Sequence, residues 1–191
     1  MRIISLKPRI YIWYKFFNSF FTGLSIGSIF TIYAPLKPSI YSVGGILLAV
    51  GMLIVAKFYE KLMNIQKFFY ISLFVETVIL FLVLYFLINP YTYTTALFVY
   101  AGYQLTFIFG AYLVRAETLI VRKKNLLSII DIYRQSGYLL GMAVSFIFYK
   151  FLEYFLGILS NQDKVYYLHF LLVMVELSII TTLIRSFKKS F

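Results

Sequence analysis

The chain has 191 residues, of which 62% are hydrophobic and 13% are charged, with a formal net charge of +11. Soluble globular domains have about a quarter of their residues charged, so this composition excludes a water-soluble globular protein and indicates an integral membrane protein. The absence of cysteine excludes disulfides, thiolate nucleophiles and sulfur metal ligands.

Six apolar stretches have about the length that a helix needs to cross roughly 30 Å of hydrocarbon. The four prolines fall at or beyond the ends of these stretches, as expected where proline delimits helices. We therefore predict an all-α polytopic membrane protein with one domain of six transmembrane helices. The predicted spans are residues 16–35, 40–56, 68–88, 95–114, 126–149 and 165–184.

The first predicted span has small and polar residues at helical spacing. Asn18, Thr22 and Ser25 share one face, and Gly23 and Gly27 form a small-xxx-small pair. Close helix packing and the lining of a cavity both use this pattern. We interpret the glycines as packing residues, whereas the polar face fits either role.

Single carboxyl groups lie near the middle of the third and sixth spans. They are Glu76 and Glu176, and His169 precedes Glu176 by two helical turns on roughly the same face. A charge in lipid costs a few kcal/mol or more, so such residues usually face protein or a water-filled path. Both glutamates are therefore candidate proton or cation sites. The alternative is a protonated glutamate that hydrogen-bonds to a neighbouring helix.

The fourth span has Gln104 on the same face as Tyr100 and ends with Arg115 and Glu117 beside a basic loop. The fifth span contains "DIYRQSG", residues 131–137, near its start, and Asp131 and Arg134 have the spacing of an ion pair on one helix face. Further polar or small residues continue this face. They are Tyr138, Gly141, Ser145 and Tyr149. The charged pair either anchors the end of the span or forms a gate with a neighbouring helix or second subunit.

Basic residues are concentrated on one side of the predicted spans. The loops on the other side hold only Lys37, Lys150 and Lys164. The positive-inside rule therefore places both termini in the cytoplasm, and we expect an inner cell membrane. This orientation explains the positive net charge. We therefore predict the lipid bilayer as a partner and no binding to nucleic acid. Tyr11 and Tyr14 fit an interfacial aromatic belt.

Catalytic motifs are absent from the sequence. There is one histidine, and there is no HExxH, no GxSxG and no close cluster of aspartates. We therefore predict no enzyme activity, no cofactor and no metal site.

Six spans with both ends on one side resemble one six-helix half of a major facilitator superfamily transporter. That family has a G-x-x-x-D-R-x-G-R-R pattern after its second helix, and residues 56–67, "AKFYEKLMNIQK", fit it with Glu60 as the acid and Lys61 as the base. Residues 115–142 are similar in character to the junction of its fourth and fifth helices. The residues that depart from the loop pattern are Ala56, Met63, Asn64 and Ile65.

The resemblance implies that spans one and four line a cavity, that two and five contact another half, and that three and six lie outermost. The substrate or ion pathway would then include Asn18, Gln104 and Arg115, whereas the argument from buried charge selects Glu76 and Glu176. The candidates for a gate or subunit interface are Glu60, Lys61, Glu117, Asp131, Arg134 and Gln135.

Transporters of that family have two such halves, and this chain supplies one. We therefore predict a half-size secondary transporter of a small solute, coupled to an ion gradient. It would work by alternating access with a second copy or a separately encoded half. The alternatives are a non-transporting assembly or regulatory subunit, and the substrate-binding membrane subunit of a vitamin importer that depends on an external ATPase.

Overall fold

The computed structural model describes residues 2–190, and the side chains of residues 5–189. It confirms the predicted all-α polytopic class, with six helical segments that are long and apolar enough to cross a membrane. The elements are β1 (Arg2–Leu6), α1 (Pro8–Tyr33), α2 (Pro38–Lys57), α3 (Tyr59–Leu62), α4 (Ile65–Ile88), α5 (Tyr93–Ile108), α6 (Gly110–Val121), α7 (Lys124–Leu156), α8 (Asn161–Arg185) and β2 (Phe187–Ser190). The six spans are α1, α2, α4, α5 with α6, α7 and α8.

Local sequence signals explain where the helices begin. Pro8 and Pro38 occupy the first turns of α1 and α2, where a missing amide hydrogen leaves no bond unmade. The side chains of Asn64, Thr92 and Ser160 cap α4, α5 and α8 by accepting a hydrogen bond from a backbone amide of the first turn. These caps satisfy donors that would otherwise be exposed at the end of an apolar helix.

The fourth span is interrupted, which the sequence did not indicate. Phe109 separates α5 from α6, and its amide donates to the carbonyl oxygens of Thr106 and Phe107 instead of continuing the α-helical pattern. The Thr106 hydroxyl donates to the Tyr103 carbonyl oxygen at 2.8 Å, a back-bond of the kind that bends helices. The break contains no proline that would mark it in the sequence. The length of the apolar stretch therefore predicted an unbroken span.

α1 lies at the centre of the bundle and packs along α7 and α8, whereas α2 packs mainly against α5. The closest approach is between α1 and α7. A Cβ atom built on Gly141 would lie 2.3 Å from the carbonyl oxygen of Phe20, and one on Gly23 would lie 2.2 Å from that of Tyr138. Only glycine fits at these two positions. Gly23 therefore has the packing role expected from the sequence, while Gly27 is exposed.

The main contacts between spans have an internal symmetry. The first span packs on the fifth and sixth, the fourth packs on the second and third, and the third packs on the sixth. The same pairs result when the first span is exchanged with the fourth, the second with the fifth and the third with the sixth. Because each set contains an odd number of spans, such repeats would have inverted topology.

The two terminal segments form a short antiparallel ribbon at one end of the bundle, called here the basic end because the Lys- and Arg-rich loops share it. β1 pairs with β2, and the Lys7 amide donates to the Ser186 carbonyl oxygen at 2.7 Å. Phe187 of β2 is buried between Tyr11 of α1 and Phe69 of α4. The prediction of an all-helical chain did not include this ribbon.

Candidate functional site

A cavity of about 310 Å³ lies among α1, α4, α5 and α6, and is called here the polar cavity. Along α1 its lining extends from Tyr11 to Ile29, roughly 27 Å at 1.5 Å per residue. Polar side chains from three spans contribute to its wall. They are Tyr11, Tyr14, Lys15, Asn18, Thr22, Ser25, Ser72, Glu76, Tyr103 and Thr106. Apolar side chains supply most of the wall area, and the polar groups are spread among them over much of the bundle's thickness.

Glu76 lies on the wall of this cavity and is only 1% exposed. Its Oε1 atom accepts a 2.6 Å hydrogen bond from the Tyr14 hydroxyl and a 3.0 Å bond from the Asn18 amide nitrogen. Its Oε2 atom has no hydrogen-bond partner among the described residues. One oxygen is therefore fixed by α1, and the other remains available.

Glu176 of α8 lies behind Glu76 and is fully buried. Neither of its carboxyl oxygens has a hydrogen-bond partner within residues 2–190. The two carboxyl groups interact with each other across the interface of α4 and α8. The third and sixth spans, which the resemblance would put outermost, thus place their carboxyl groups together inside the protein.

A second cluster occupies the basic end of the cavity. Lys15 Nζ lies 3.2 Å from Glu117 Oε2, and the Tyr11 hydroxyl donates a 2.8 Å hydrogen bond to Glu117 Oε1. The side chains of Lys15 and Glu117 are only 14% and 6% exposed. This ion pair joins the first span to the end of the fourth, near one exit of the cavity.

The roles of Tyr11, Tyr14 and Lys15 were not predicted from the sequence. The tyrosines were assigned to the interfacial belt, and Lys15 is one of the basic residues concentrated on one side of the spans. A usable signal was nevertheless present. Helical steps of three or four residues back from Asn18 reach Tyr14 or Lys15, and then Tyr11, so these residues extend the polar face already recognised on the first span.

Gln104 and Arg115 lie outside the polar cavity. Gln104 lines an apolar groove of about 440 Å³ between α2 and α5. Arg115 is exposed near the basic end, where its guanidinium lies 5.5 Å from the ring centre of Tyr59. Of the predicted pathway residues, the fold brings together Asn18, Glu76 and Glu176.

The residues predicted for a gate are also divided. Glu117 joins the cluster with Lys15, whereas Glu60, Lys61 and Gln135 are exposed. Asp131 lies 3.0 Å from Arg134 in an ion pair within α7, with side chains 61% and 35% exposed. The expected pair exists, but it connects neighbouring turns of one helix and not two helices.

His169 belongs to the packed core. Its ring stacks on Phe86 with centroids 4.0 Å apart, and its Nδ1 atom lies 2.7 Å from the Val165 carbonyl oxygen. No group of three or more His, Asp or Glu side chains that could hold a metal occurs in the described part of the chain. The chemically distinctive groups are therefore the two buried carboxyl groups and the buried ion pair.

Comparisons with protein-family models, curated proteins and solved structures found no match for this chain. Six apolar helices make the chain an integral membrane protein.

Proposed function

We propose that the protein is a half-size secondary transporter that carries a small solute through the polar cavity, driven by an ion gradient. One observation carries this proposal: Glu76 is almost fully buried, yet it lies on the wall of a polar cavity inside an apolar bundle. A carboxyl group in a membrane span costs free energy, and such residues usually mark a substrate or ion path.

The open side of the cavity supports a dimeric arrangement. Thr22 of α1 lines the cavity and is exposed, as are Ile26 of α1 and Phe107 of α5, which are 40% and 52% exposed. In a single chain these residues and the half-buried Asn18 would meet lipid. A parallel second copy related by a two-fold axis would cover this side and complete the cavity.

Alternating access gives a mechanism that uses the observed contacts. The ion pair of Lys15 and Glu117 connects the first and fourth spans near the basic end. Breaking it would let that end of the cavity open, and reforming it would close the path. The exchange symmetry of the span contacts is what inverted repeats of a transporter would produce, and supports the same proposal.

The experiment is a thermal-shift screen of solute classes, followed by uptake of each stabilising solute into proteoliposomes. We expect gradient-driven uptake that is lost in Glu76→Gln and retained in the control Asp163→Asn, an exposed acid outside the cavity. Stabilising solutes without uptake, or equal uptake by both variants, would contradict the proposal.

The dimer is tested by crosslinking, because the chain has no cysteine and a single one can be introduced. We expect Thr22→Cys to give a covalent dimer in membranes with a bifunctional maleimide, which can span the cavity between two copies. The control, Met174→Cys, lies on the exposed face of α8 and should stay monomeric. Crosslinking of the control alone, with monomeric mass in detergent, would contradict the two-fold arrangement.

The exposure of α2 favours a second candidate function, a non-transporting assembly or regulatory subunit. Gly44 and Val55 are the buried residues of this helix, so most of its surface is open to lipid or to a membrane partner. A co-purifying membrane protein without solute uptake would select this candidate. Uptake that requires ATP and a co-purifying ATPase would instead select a vitamin-importer subunit.

A further inference from the structure

The chain has seven acidic side chains, and they differ in their partners. Glu117, Asp131 and Glu153 form ion pairs with lysine or arginine. Glu60 and Asp163 are exposed to the surroundings. Glu76 and Glu176 remain: both are at least 99% buried, and neither forms an ion pair with a residue that the structure describes.

These two carboxyl groups lack a hydrogen-bond donor. Three of their oxygens accept no hydrogen bond from a described residue, namely Oε2 of Glu76 and both carboxyl oxygens of Glu176. Two neighbouring carboxylates in an apolar interior repel each other and lose their hydration, so both do not stay ionised. One proton on Glu176 removes one charge and supplies an O–H donor near the Glu76 carboxyl group.

We propose that Glu76 and Glu176 together form a binding site for a single proton, and that H⁺ is therefore the coupling ion of the proposed transporter. The identity of the coupling ion rests on the proposed function, but the proton site does not. While the cavity is closed to water, the proton forms an O–H bond to Glu176. When the cavity opens to water, this bond breaks, the proton moves to Oε2 of Glu76 and leaves as H⁺, and the entering water hydrates the Glu76 carboxylate that remains.

The two glutamates have different positions along this route. Glu76 lines the polar cavity, whereas Glu176 is fully buried and is not among the lining residues. Tyr14 and Asn18 hold Oε1 of Glu76 and leave Oε2 pointing elsewhere. Tyr14 and Asn18 are positioning residues, since they orient the carboxyl group without being the proton site.

The surrounding groups favour a proton over a metal cation. Lys15 and Tyr14 of α1 face Glu76, and Tyr103 of α5 faces Glu176. Glu117 of α6 neutralises Lys15, and His169 on α8 is stacked on Phe86. Hard divalent cations take about six oxygen ligands, and this site offers three free oxygens from two carboxyl groups. A single proton needs only one donor and one acceptor oxygen.

The test is infrared spectroscopy of the purified protein in lipid nanodiscs at pH 7. Protonated carboxyl groups have a C=O stretch that carboxylates lack. We expect this band in the wild type and in Glu60→Gln, and a clearly weaker band in Glu176→Gln, where Glu76 has no neighbouring carboxylate and still accepts hydrogen bonds from Tyr14 and Asn18. Carbon-13 labelling of glutamate should shift the band in the wild type, which identifies the residue type even if a variant does not fold.

Three results would overturn the site: no protonated band in the wild type at pH 7, an unchanged band in folded Glu176→Gln, or a band that sodium chloride removes but choline chloride does not. The last result would indicate a cation site. If the band behaves as expected but no solute is taken up, the transporter proposal fails and the proton site stands. If proton-independent uptake occurs without the band, the proton site fails and the transporter stands.

Discussion

Tyr14 donates a 2.6 Å hydrogen bond to Oε1 of Glu76, and this bond joins the first span to the third at the wall of the polar cavity. Both side chains are buried, so each satisfies the other away from water. A tyrosine near the start of an apolar span thus has a specific partner in another span. The bond connects helix packing to the proposed proton site.

Tyr14→Phe removes the hydroxyl and keeps the ring. Because Asn18 still donates to the same oxygen, we expect the loss of part of the hydrogen bonding, about 1–3 kcal/mol in the free energy of unfolding. Thermal unfolding in detergent measures it. Tyr70→Phe, on the exposed face of α4, is the matched control and should have little effect. Equal effects would show that the Tyr14 hydroxyl contributes nothing.

The ion pair of Lys15 and Glu117 is suited to a double-mutant cycle. Lys15→Met or Glu117→Gln alone leaves a nearly buried charge without its partner, and we expect each to cost about 3–5 kcal/mol. The double variant should recover much of this loss, because no unpaired charge remains. Chemical denaturation of the four proteins gives the coupling energy, and additive single effects would argue against the pair.

Asp131→Asn is the comparison for an exposed pair. Its ion pair with Arg134 lies within one helix and is largely exposed, so we expect a change of about 0–1 kcal/mol in stability and unchanged uptake. The same denaturation and uptake measurements apply. A loss of uptake would instead restore Asp131 as part of a gate.

The contact between α1 and α7 predicts a strong difference between glycines. Gly141→Ala would place Cβ 2.3 Å from a backbone oxygen of α1, which side-chain motion does not relieve. We expect a loss of about 1–3 kcal/mol in the free energy of unfolding. Gly45→Ala, on an exposed part of α2, meets open space and should be neutral or stabilising. Similar thermal stability of the two variants would contradict the close packing.

The terminal ribbon should limit access to the cavity, because Phe187 packs against Tyr11 and Phe68, which line it. We expect Phe187→Ala to increase maleimide labelling of a cysteine introduced at Ser25, with a cost of about 3–5 kcal/mol in stability. Lys188→Ala, at an exposed neighbouring position, is the control. Labelling at the same rate in both would show that the ribbon does not cover the cavity.

The candidate site was only partly predictable from the sequence. Helical spacing correctly placed Asn18, Thr22 and Ser25 on one face, because side-chain direction around a helix axis follows from position in the chain. The same argument did not give the rotation of one helix against another. Gln104, equally polar, therefore lies in the groove beside α2 and not in the polar cavity.

By itself, the sequence determined the all-α membrane class, the number of apolar helices and the helix ends marked by Pro8 and Pro38, since length, hydrophobicity and backbone chemistry are local properties. Only the tertiary structure decided that Glu76 meets Glu176, that Lys15 meets Glu117 and that Phe187 reaches Tyr11. Each of these pairs is far apart in the chain. Their contacts depend on how the helices pack, and that packing is set jointly by side-chain volumes throughout the bundle.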